Sequence, residues 1–189
     1  TLNANQDFNT KWLHNPKFQW GWSQSIMLNQ YAGYFFIPDM KSSSTGTYLT
    51  YKKHFFNWQF LASIRSDFKY LTSSWKNKGI EHTDTRYFLN TSGALSLNKT
   101  HKNQTTEIHL SRLWRAPWIN ELYSNGVHHG SAAFEIGNSS LGMETDYKLE
   151  FSWSENNPKS QLFLQAFTSY IFNYINLSPT VEPVLTVRG

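Results

Sequence analysis

The stretch Asn57–Tyr70, NWQFLASIRSDFKY, decides the fold class of this chain of 189 residues. Its residues alternate between apolar and polar, which indicates a β-strand with one apolar face. The apolar positions are Trp58, Phe60, Ala62, Ile64, Phe68 and Tyr70, and the polar positions are Gln59, Ser63, Arg65, Asp67 and Lys69. Globular strands usually run ~5–6 residues, whereas a tilted strand that crosses a bilayer needs ~9–11. Because this stretch covers 14 residues, it predicts a membrane-crossing strand.

Seven further segments alternate in a similar way, so that eight strands are predicted. They are Leu2–Asn9, Lys17–Asn29, Thr45–Lys52, Phe88–Asn98, Gln104–Trp114, Asp146–Trp153 and Leu162–Tyr174. No helical period of useful length is present. The expected fold class is all-β, an antiparallel up-and-down meander that forms an open sector of a transmembrane β-barrel. Residues 1–189 are expected to be a single unit.

The predicted connections alternate between short and long. The short ones are His14–Pro16, His54–Phe56, Lys99–Asn103 and Glu155–Lys159, and the long ones are Phe35–Ser44, Lys76–Arg86 and Arg115–Thr145. Short turns at one rim and long loops at the other are typical of outer-membrane barrels.

The composition agrees with this fold class and excludes others. Charged residues make up 16% of the chain, aromatic residues 17%, and the mean hydropathy is −0.54. No stretch approaches the ~18 apolar residues of a membrane helix, so a helical membrane protein is excluded. The chain has no cysteine, and its basic residues are scattered, so nucleic acid is not an expected partner. Aromatic-rich β-sandwich adhesins and carbohydrate-binding modules share this composition and remain the alternative.

An ordered set of motifs resembles the barrel of TonB-dependent outer-membrane receptors. It comprises Arg115-Ala116-Pro117, Glu121-Leu122-Tyr123, Gly137-Asn138, Leu141 and Glu144, preceded by Phe36–Asp39, Gly46, Trp58 and Ile64–Asp67 and followed by Tyr174-Ile175. In that family a strand rises to Arg-Ala-Pro, crosses a long external loop and descends after a Glu. The order and spacing match over nearly the whole chain.

The resemblance implies a non-enzymatic role in a bacterial outer membrane. It implies a 22-stranded barrel closed around a plug domain, which imports a scarce nutrient such as a metal chelate or haem with energy from TonB. The expected partners are the plug, TonB, membrane lipid and a small nutrient ligand, and no cofactor is expected. Eight strands cannot close such a barrel, and neither plug nor TonB box is recognisable, so we expect a fragment whose strand edges are prone to self-association.

The predicted ligand-binding loop contains Glu121, Tyr123, His128, His129 and Glu135. Imidazole and carboxylate groups suit a borderline metal such as zinc, so His128 and His129 are candidate metal ligands. The alternative is that the two adjacent side chains diverge along an extended segment and only stiffen the loop. The motif residues Arg115, Pro117, Gly137, Asn138, Leu141 and Glu144 are expected to have structural roles.

Charged residues also occur within the predicted strands. Arg65, Asp67 and Lys69 place alternating charges on a wall that would face the plug. Arg112 is in phase with the presumed lipid face, where we expect it to lie at the rim and extend its charge towards water. No catalytic motif is present; His82 and Asp84 could be assigned to a hydrolase site, but an isolated pair is more simply read as loop polarity.

Overall fold

The computed structural model describes residues 2–14, 17–30, 36–77, 80–128 and 133–180. These contain ten strands and one short helix. The elements are β1 (Leu2–His14), β2 (Phe18–Gln30), β3 (Asp39–Phe55), β4 (Trp58–Asn77), β5 (Ile80–His101), β6 (Gln104–Arg115), α1 (Ile119–Tyr123), β7 (Asn125–His128), β8 (Ala133–Ile136), β9 (Glu144–Asn157) and β10 (Ser160–Phe172).

Eight of the strands form one antiparallel sheet in the order β1-β2-β3-β4-β5-β6-β9-β10. Every strand therefore pairs with its neighbour along the chain, except that the hairpin of β7 and β8 is inserted between β6 and β9 and forms a sheet of its own. Among the described residues β1 and β10 do not pair with each other, so the sheet is open. The predicted all-β up-and-down meander is confirmed. Within the described ranges no helix is long and apolar enough to cross a membrane.

Two of the three predicted long connections are wrong in extent. β3 begins at Asp39, so much of Phe35–Ser44 is strand. β4 and β5 remain paired up to Asn77 and Ile80, so most of Lys76–Arg86 is strand as well. The alternation of apolar and polar residues is interrupted there because the face that carries Phe68 becomes polar beyond Tyr70, while Met40 and Leu71 are buried on the other face. A strand whose apolar positions change face carries no continuous periodic signal. Of the three connections predicted to be long, the one between Arg115 and Glu144 is long as predicted.

The short turns lie together at the opposite end of the meander. Phe56 and Lys102 in two of them have positive φ angles of 52°, as tight hairpin turns often require. Part of the predicted turn at His14–Pro16, namely residues 15 and 16, lies outside the described residues.

One side of the sheet, which we call the apolar face, carries large exposed side chains. On β4, Ile64 is 57% exposed and Phe68 is 40% exposed; they are representative of this face. Aromatic pairs lie near both of its ends: the rings of Phe18 and Tyr51 are 4.9 Å apart near the short turns, and those of Tyr70 and Tyr87 are 5.4 Å apart towards the other end.

Tryptophan indoles on the apolar face donate to hydroxyls of the neighbouring strand. Trp20 Nε1 donates to Thr47 Oγ1 at 2.8 Å, and Trp22 Nε1 donates to Thr45 Oγ1 at 2.7 Å. Polar groups in an apolar environment are costly unless they are hydrogen-bonded. These pairs therefore allow both indoles to lie on this face.

The opposite side, the polar face, is closely packed around charged side chains. Arg65 pairs with Asp67 of its own strand and donates to Ser23 Oγ of β2 at 2.7 Å. Gly46 lies directly opposite Asp67, and a Cβ there would collide with both charged groups. Gly21 leaves room in the same way for the ring of Tyr48. The small residues on this face thus make space for large polar ones across the strand pair.

The buried core lies on the polar face near the long connection. It consists of six residues, namely Met40, Leu71, Phe88, Ala116, Ile119 and Leu122. The first three belong to β3, β4 and β5, and the other three belong to the chain after β6. The long connection is therefore packed against the wall of the sheet.

Candidate ligand-binding loop

Residues 116–143, which we call the β6–β9 loop, are held at their base by Arg115. Its Nη1 donates to Glu121 Oε2 at 2.8 Å, and its Nε donates to Glu144 Oε1 at 3.0 Å. The planar guanidinium can serve two carboxylates at once, which a lysine ammonium cannot do with the same geometry. Arg115 therefore joins the last residue of β6 to the helix of the loop and to the first residue of β9.

Glu121 also fixes the start of α1. Its Oε2 accepts a hydrogen bond from the backbone N–H of Trp118 at 2.7 Å, which satisfies a donor that a helix start leaves free. Pro117 directly precedes Trp118 and is fully buried, and Leu122 is only 1% exposed. Burial of one face and capping of the first turn together stabilise a helix of five residues that would not form alone.

Glu144 connects the loop to the segment after β10. Its Oε2 accepts from the backbone N–H of Ile175 at 2.8 Å, in addition to its contacts with Arg115. Asn173 Nδ2 donates to the carbonyl of Met143 at 3.2 Å beside it. The sequence predicted Tyr174-Ile175 at the end of a strand. β10 ends at Phe172, so this pair lies just beyond the strand, where Ile175 is hydrogen-bonded to Glu144.

Gly137 marks the closest approach of two backbone segments in the loop. A Cβ at this position would lie 2.5 Å from the backbone nitrogen of Tyr123, so no larger residue fits without displacement. Gly137 N donates to Ser124 O at 2.7 Å, and Asn138 N donates to Glu121 O at 2.8 Å. The side chain of Asn138 accepts from the backbone N–H of Ser140 at 2.9 Å and so shapes the following turn. Leu141 packs against the core described above.

Tyr123 lies at the junction of the loop with the wall. Its hydroxyl donates to Asp84 of β5, and its ring lies 5.5 Å from that of Trp75 on β4. The Trp75 ring in turn stacks on His82 at 5.7 Å. Burial, supported by the hydrogen bond to Asp84, raises the pKa of Tyr123 to about 12, so the phenol stays neutral and can act as a donor.

Sequence reasoning placed His82 and Asp84 in a solvated loop and did not connect them with Tyr123. The structure puts them on β5, where Asp84 pairs in register with Ser73 and His82 pairs with Trp75. Only knowledge that the strands continue past the apolar band could have revealed these contacts.

The predicted metal ligands are only partly described. His128 Nδ1 lies 2.7 Å from Glu135 Oε1, and its ring stacks on Phe36 at 5.2 Å. His129 lies outside the described residues. Among the residues that are described, no three His, Cys, Asp or Glu side chains converge as metal ligands would. Metal binding by this hairpin stays a prediction.

Comparison with known proteins gives the fold and its context. No protein-family model and no curated sequence matches the chain. Among solved structures, the copper transporter OprC is similar with a TM-score of 0.60 and 14% identity over 88% of this chain. A double mutant of the Serratia marcescens hemophore receptor HasR, in complex with its hemophore HasA and heme, is similar with a TM-score of 0.58 and 15% identity over 93% of this chain.

The chain spans 30% of the length of the copper transporter and 33% of that of the hemophore receptor. At these identities the likeness concerns the fold alone. Both solved proteins are TonB-dependent receptors; by name, one is a copper transporter and the other a hemophore receptor. The resemblance of this chain to the barrels of TonB-dependent receptors, stated from its motifs, is thereby confirmed at the level of the fold.

Proposed function

We propose that this chain is a sector of the barrel of an outer-membrane transporter that imports a scarce nutrient by TonB-coupled transport. The observation that carries the proposal is an open eight-stranded meander with large apolar side chains exposed on one face and a packed loop on the other. In a soluble sandwich a second sheet would cover the apolar face. The second sheet found among the described residues, β7 with β8, has two strands of four residues and lies in the loop.

The dimensions of the apolar face support a membrane location. On β4 the aromatic positions at its two ends are Trp58 and Tyr70. Twelve residue steps at ~3.3 Å make about 40 Å along the strand, which is about 28 Å in height at a tilt of ~45°. Outer-membrane barrels carry an apolar band of ~25 Å between two aromatic girdles. The aromatic pairs near both ends of the sheet occupy the places where such girdles would lie.

The β6–β9 loop supports a role in ligand capture. It is anchored at its base by Arg115 and packed on the wall through Leu122, whereas its β7–β8 hairpin carries the more exposed His128. A rigid base with a projecting tip suits a loop that holds binding groups over an entrance. The two similar proteins are by name a copper transporter and a hemophore receptor, so we extend to this chain a metal ion or metal chelate as the ligand class.

Uptake by cells tests this function directly. A Gram-negative strain that lacks the gene for the full-length protein should accumulate less of one metal or chelate from a panel of copper, zinc, haem and ferric chelates, measured by mass spectrometry of cell metal. Uptake should return with the wild-type gene and should stop when TonB is deleted. A strain that accumulates every member of the panel normally, or a restored uptake that ignores TonB, would contradict the proposal.

A pair of histidine variants tests the binding role of the loop. His128→Ala with His129→Ala should raise the substrate concentration for half-maximal uptake about tenfold or more, because one or two ligand bonds are lost. The matched control is His54→Ala with His101→Ala, which removes two histidines at the turn end of β3 and β5 and should leave uptake unchanged. Equal uptake by both double variants would remove the hairpin from the ligand site and leave the barrel assignment standing.

A further inference from the structure

A cleft of about 230 Å³ lies on the sheet beyond the end of the apolar band. We call it the rim cleft; the residues that matter here are Gln30, Lys41, Thr72, Ser74, Glu81 and Thr83. These come from four adjacent strands, β2 to β5. The strand register places five of these residues, all except Gln30, on the same face of the sheet as Phe68 and Tyr70. The cleft therefore opens on the apolar side of the sheet and not towards the β6–β9 loop.

The aromatic residues next to the rim cleft show how far along the strands it lies. Tyr70 and Tyr87 form the aromatic pair at this end of the apolar face. Thr72 is the next residue of β4 on that face, and its Oγ1 lies 2.5 Å from the Tyr70 hydroxyl. Ser74 and Thr83, one step further along the strands, are direct cross-strand partners. The rim cleft therefore begins where the apolar band ends, which in a membrane is the level of the lipid headgroups.

The groups in the rim cleft suit neutral hydroxyl-rich ligands better than phosphate. Three hydroxyl residues and two amide residues line it, and the single cation Lys41 is accompanied by Glu81 and by Asp39. Phosphate sites in proteins usually gather arginines, lysines or helix starts instead. The volume is below the ~300–1,000 Å³ of pockets for drug-sized molecules, so the cleft has room for one small polar ring.

We propose that the rim cleft binds a sugar ring of a glycolipid in the outer leaflet of the surrounding membrane. This rests on the proposed membrane location, because only there does the cleft lie beside lipid headgroups. Each hydroxyl or amide of the cleft can donate or accept towards the sugar, and the tyrosines below contact the adjoining acyl chains. The bound lipid would be a fixed part of the wall next to β3 and β4, on the side opposite to the nutrient path.

Native mass spectrometry of the full-length protein from nanodiscs tests this inference. The discs contain phosphatidylethanolamine and phosphatidylglycerol, with or without rough lipopolysaccharide as the probe. Thr72→Val with Thr83→Val removes two hydroxyls while the β-branched shape is kept, and it should weaken lipopolysaccharide retention about tenfold or more. The matched control is Thr106→Val with Thr168→Val, which removes two hydroxyls from the same face away from the cleft and should retain the lipid like wild type.

The other outcomes are distinct. Equal retention by wild type and the cleft variant overturns the site, and equal retention of phosphatidylglycerol shows headgroup phosphate recognition instead of sugar recognition. Binding of free glucosamine in detergent, with no gain from the lipid-linked probe, makes the cleft a site for soluble sugar and overturns the lipid assignment. Failure of wild type to insert into the discs overturns the membrane location and this inference together, whereas insertion without glycolipid retention overturns this inference alone.

Discussion

The two edges of β5 differ in how much of each is paired with a neighbouring strand. Towards β4, β5 is paired along all but its last two residues, from Ile80 opposite Asn77 to Lys99 opposite Trp58. Towards β6, the pairing covers only Gly93 to His101. Among the described residues, the portion of β5 before Gly93 has no ladder partner on that side, and we call this boundary the β5–β6 seam. In the proposed membrane location a sheet must satisfy its backbone groups internally, so the seam would need other hydrogen-bond partners.

Side chains provide such partners. Arg112 donates from Nη1 to the backbone carbonyl of Thr91, from Nη2 to Asn90 Oδ1 at 3.0 Å and from Nε to the Tyr147 hydroxyl at 3.1 Å. Arg86 donates to the backbone carbonyls of Ser139 and Leu141 in the β6–β9 loop. Where the backbone ladder ends, two guanidinium groups thus bridge β5 to β6, β9 and the loop.

The comparison explains the position of Arg112. From its phase alone, an arginine on this face was expected at the rim with its charge directed to water. The structure instead shows all three of its nitrogens engaged across the seam, with the guanidinium 5.7 Å above the Tyr147 ring. Three acceptors on β5 and β9 thus receive hydrogen bonds from its guanidinium.

The largest expected loss of stability comes from a change in the buried core between the β6–β9 loop and the sheet. Leu122→Ala removes a side chain that is 1% exposed and joins the loop to the wall, and it should cost about 2–5 kcal/mol of local loop stability. Limited proteolysis in the full-length protein measures this as faster cleavage between residues 116 and 143. Leu113→Ala, where the leucine is 50% exposed, is the matched control with an expected effect below about 0.5 kcal/mol. Equal cleavage rates for the two variants would contradict the packing of the loop on the sheet.

An intermediate effect is expected at the seam itself. Arg112→Ala leaves the Thr91 carbonyl without its side-chain donor and should cost about 1–3 kcal/mol. It also removes one of the two donors to Asn90 Oδ1, the other being the backbone N–H of Thr91. Amide hydrogen exchange should become faster in residues 86–92 while residues 58–77 of β4 keep their rates. Lys99→Ala, which removes the cation over the Trp58 ring in the fully paired part of β5, serves as control and should leave the seam unchanged. If exchange in 86–92 is the same in both variants, Arg112 does not close the seam.

A smaller effect is expected on the fully paired side of the sheet. Thr47→Val removes the acceptor of the Trp20 indole and should lower the free energy of unfolding by about 1 kcal/mol. Denaturant unfolding of the protein in lipid vesicles, followed by tryptophan fluorescence, measures the change. Thr47→Ser keeps the hydroxyl and should recover most of the stability, which a purely steric role for Thr47 would not allow.

The smallest effect is expected from Gly93→Ala, at the residue where pairing with β6 ends. The nearest atom to a Cβ there is the Ser63 carbonyl oxygen at 3.5 Å, an ordinary contact, so the unfolding free energy should change by less than about 0.5 kcal/mol. Gly46→Ala is the contrasting variant, because its Cβ would collide with Asp67 and Arg65 and should cost about 1–3 kcal/mol. Similar values for both glycines would show that close packing on the polar face is not what selects Gly46.

The sequence predicted the parts of the fold that carry an apolar face. Alternation around Ile64 and Phe68 identified β4, and the order of segments was enough for the meander. It failed where β3, β4 and β5 continue beyond the apolar band, because apolar residues such as Met40 and Leu71 lie there on the opposite face and the regular alternation is interrupted. That failure hid the rim cleft and the contact between Asp84 and Tyr123.

The contacts of the candidate site were likewise predicted only in part. The motif pattern pointed to Arg115, Glu121 and Glu144, and the structure places all three in one hydrogen-bonded group. No pattern pointed to Trp75 as a neighbour of Tyr123 or to Phe36 as a neighbour of His128, since these contacts join residues far apart in the chain. Contacts of this kind follow from strand register, which sequence alternation alone does not determine.

The environment of two adjacent positions on β4 tests most directly whether the apolar face contacts lipid. The chain has no cysteine, so Ile64→Cys and Ser63→Cys can each carry a single nitroxide label in the full-length protein in membranes. We expect the label at 64 to be accessible to oxygen dissolved in lipid, and the label at 63 to be accessible to a water-soluble nickel complex. If both labels are shielded from both reagents, or if position 64 faces water, the apolar face does not contact lipid and the transporter assignment is wrong.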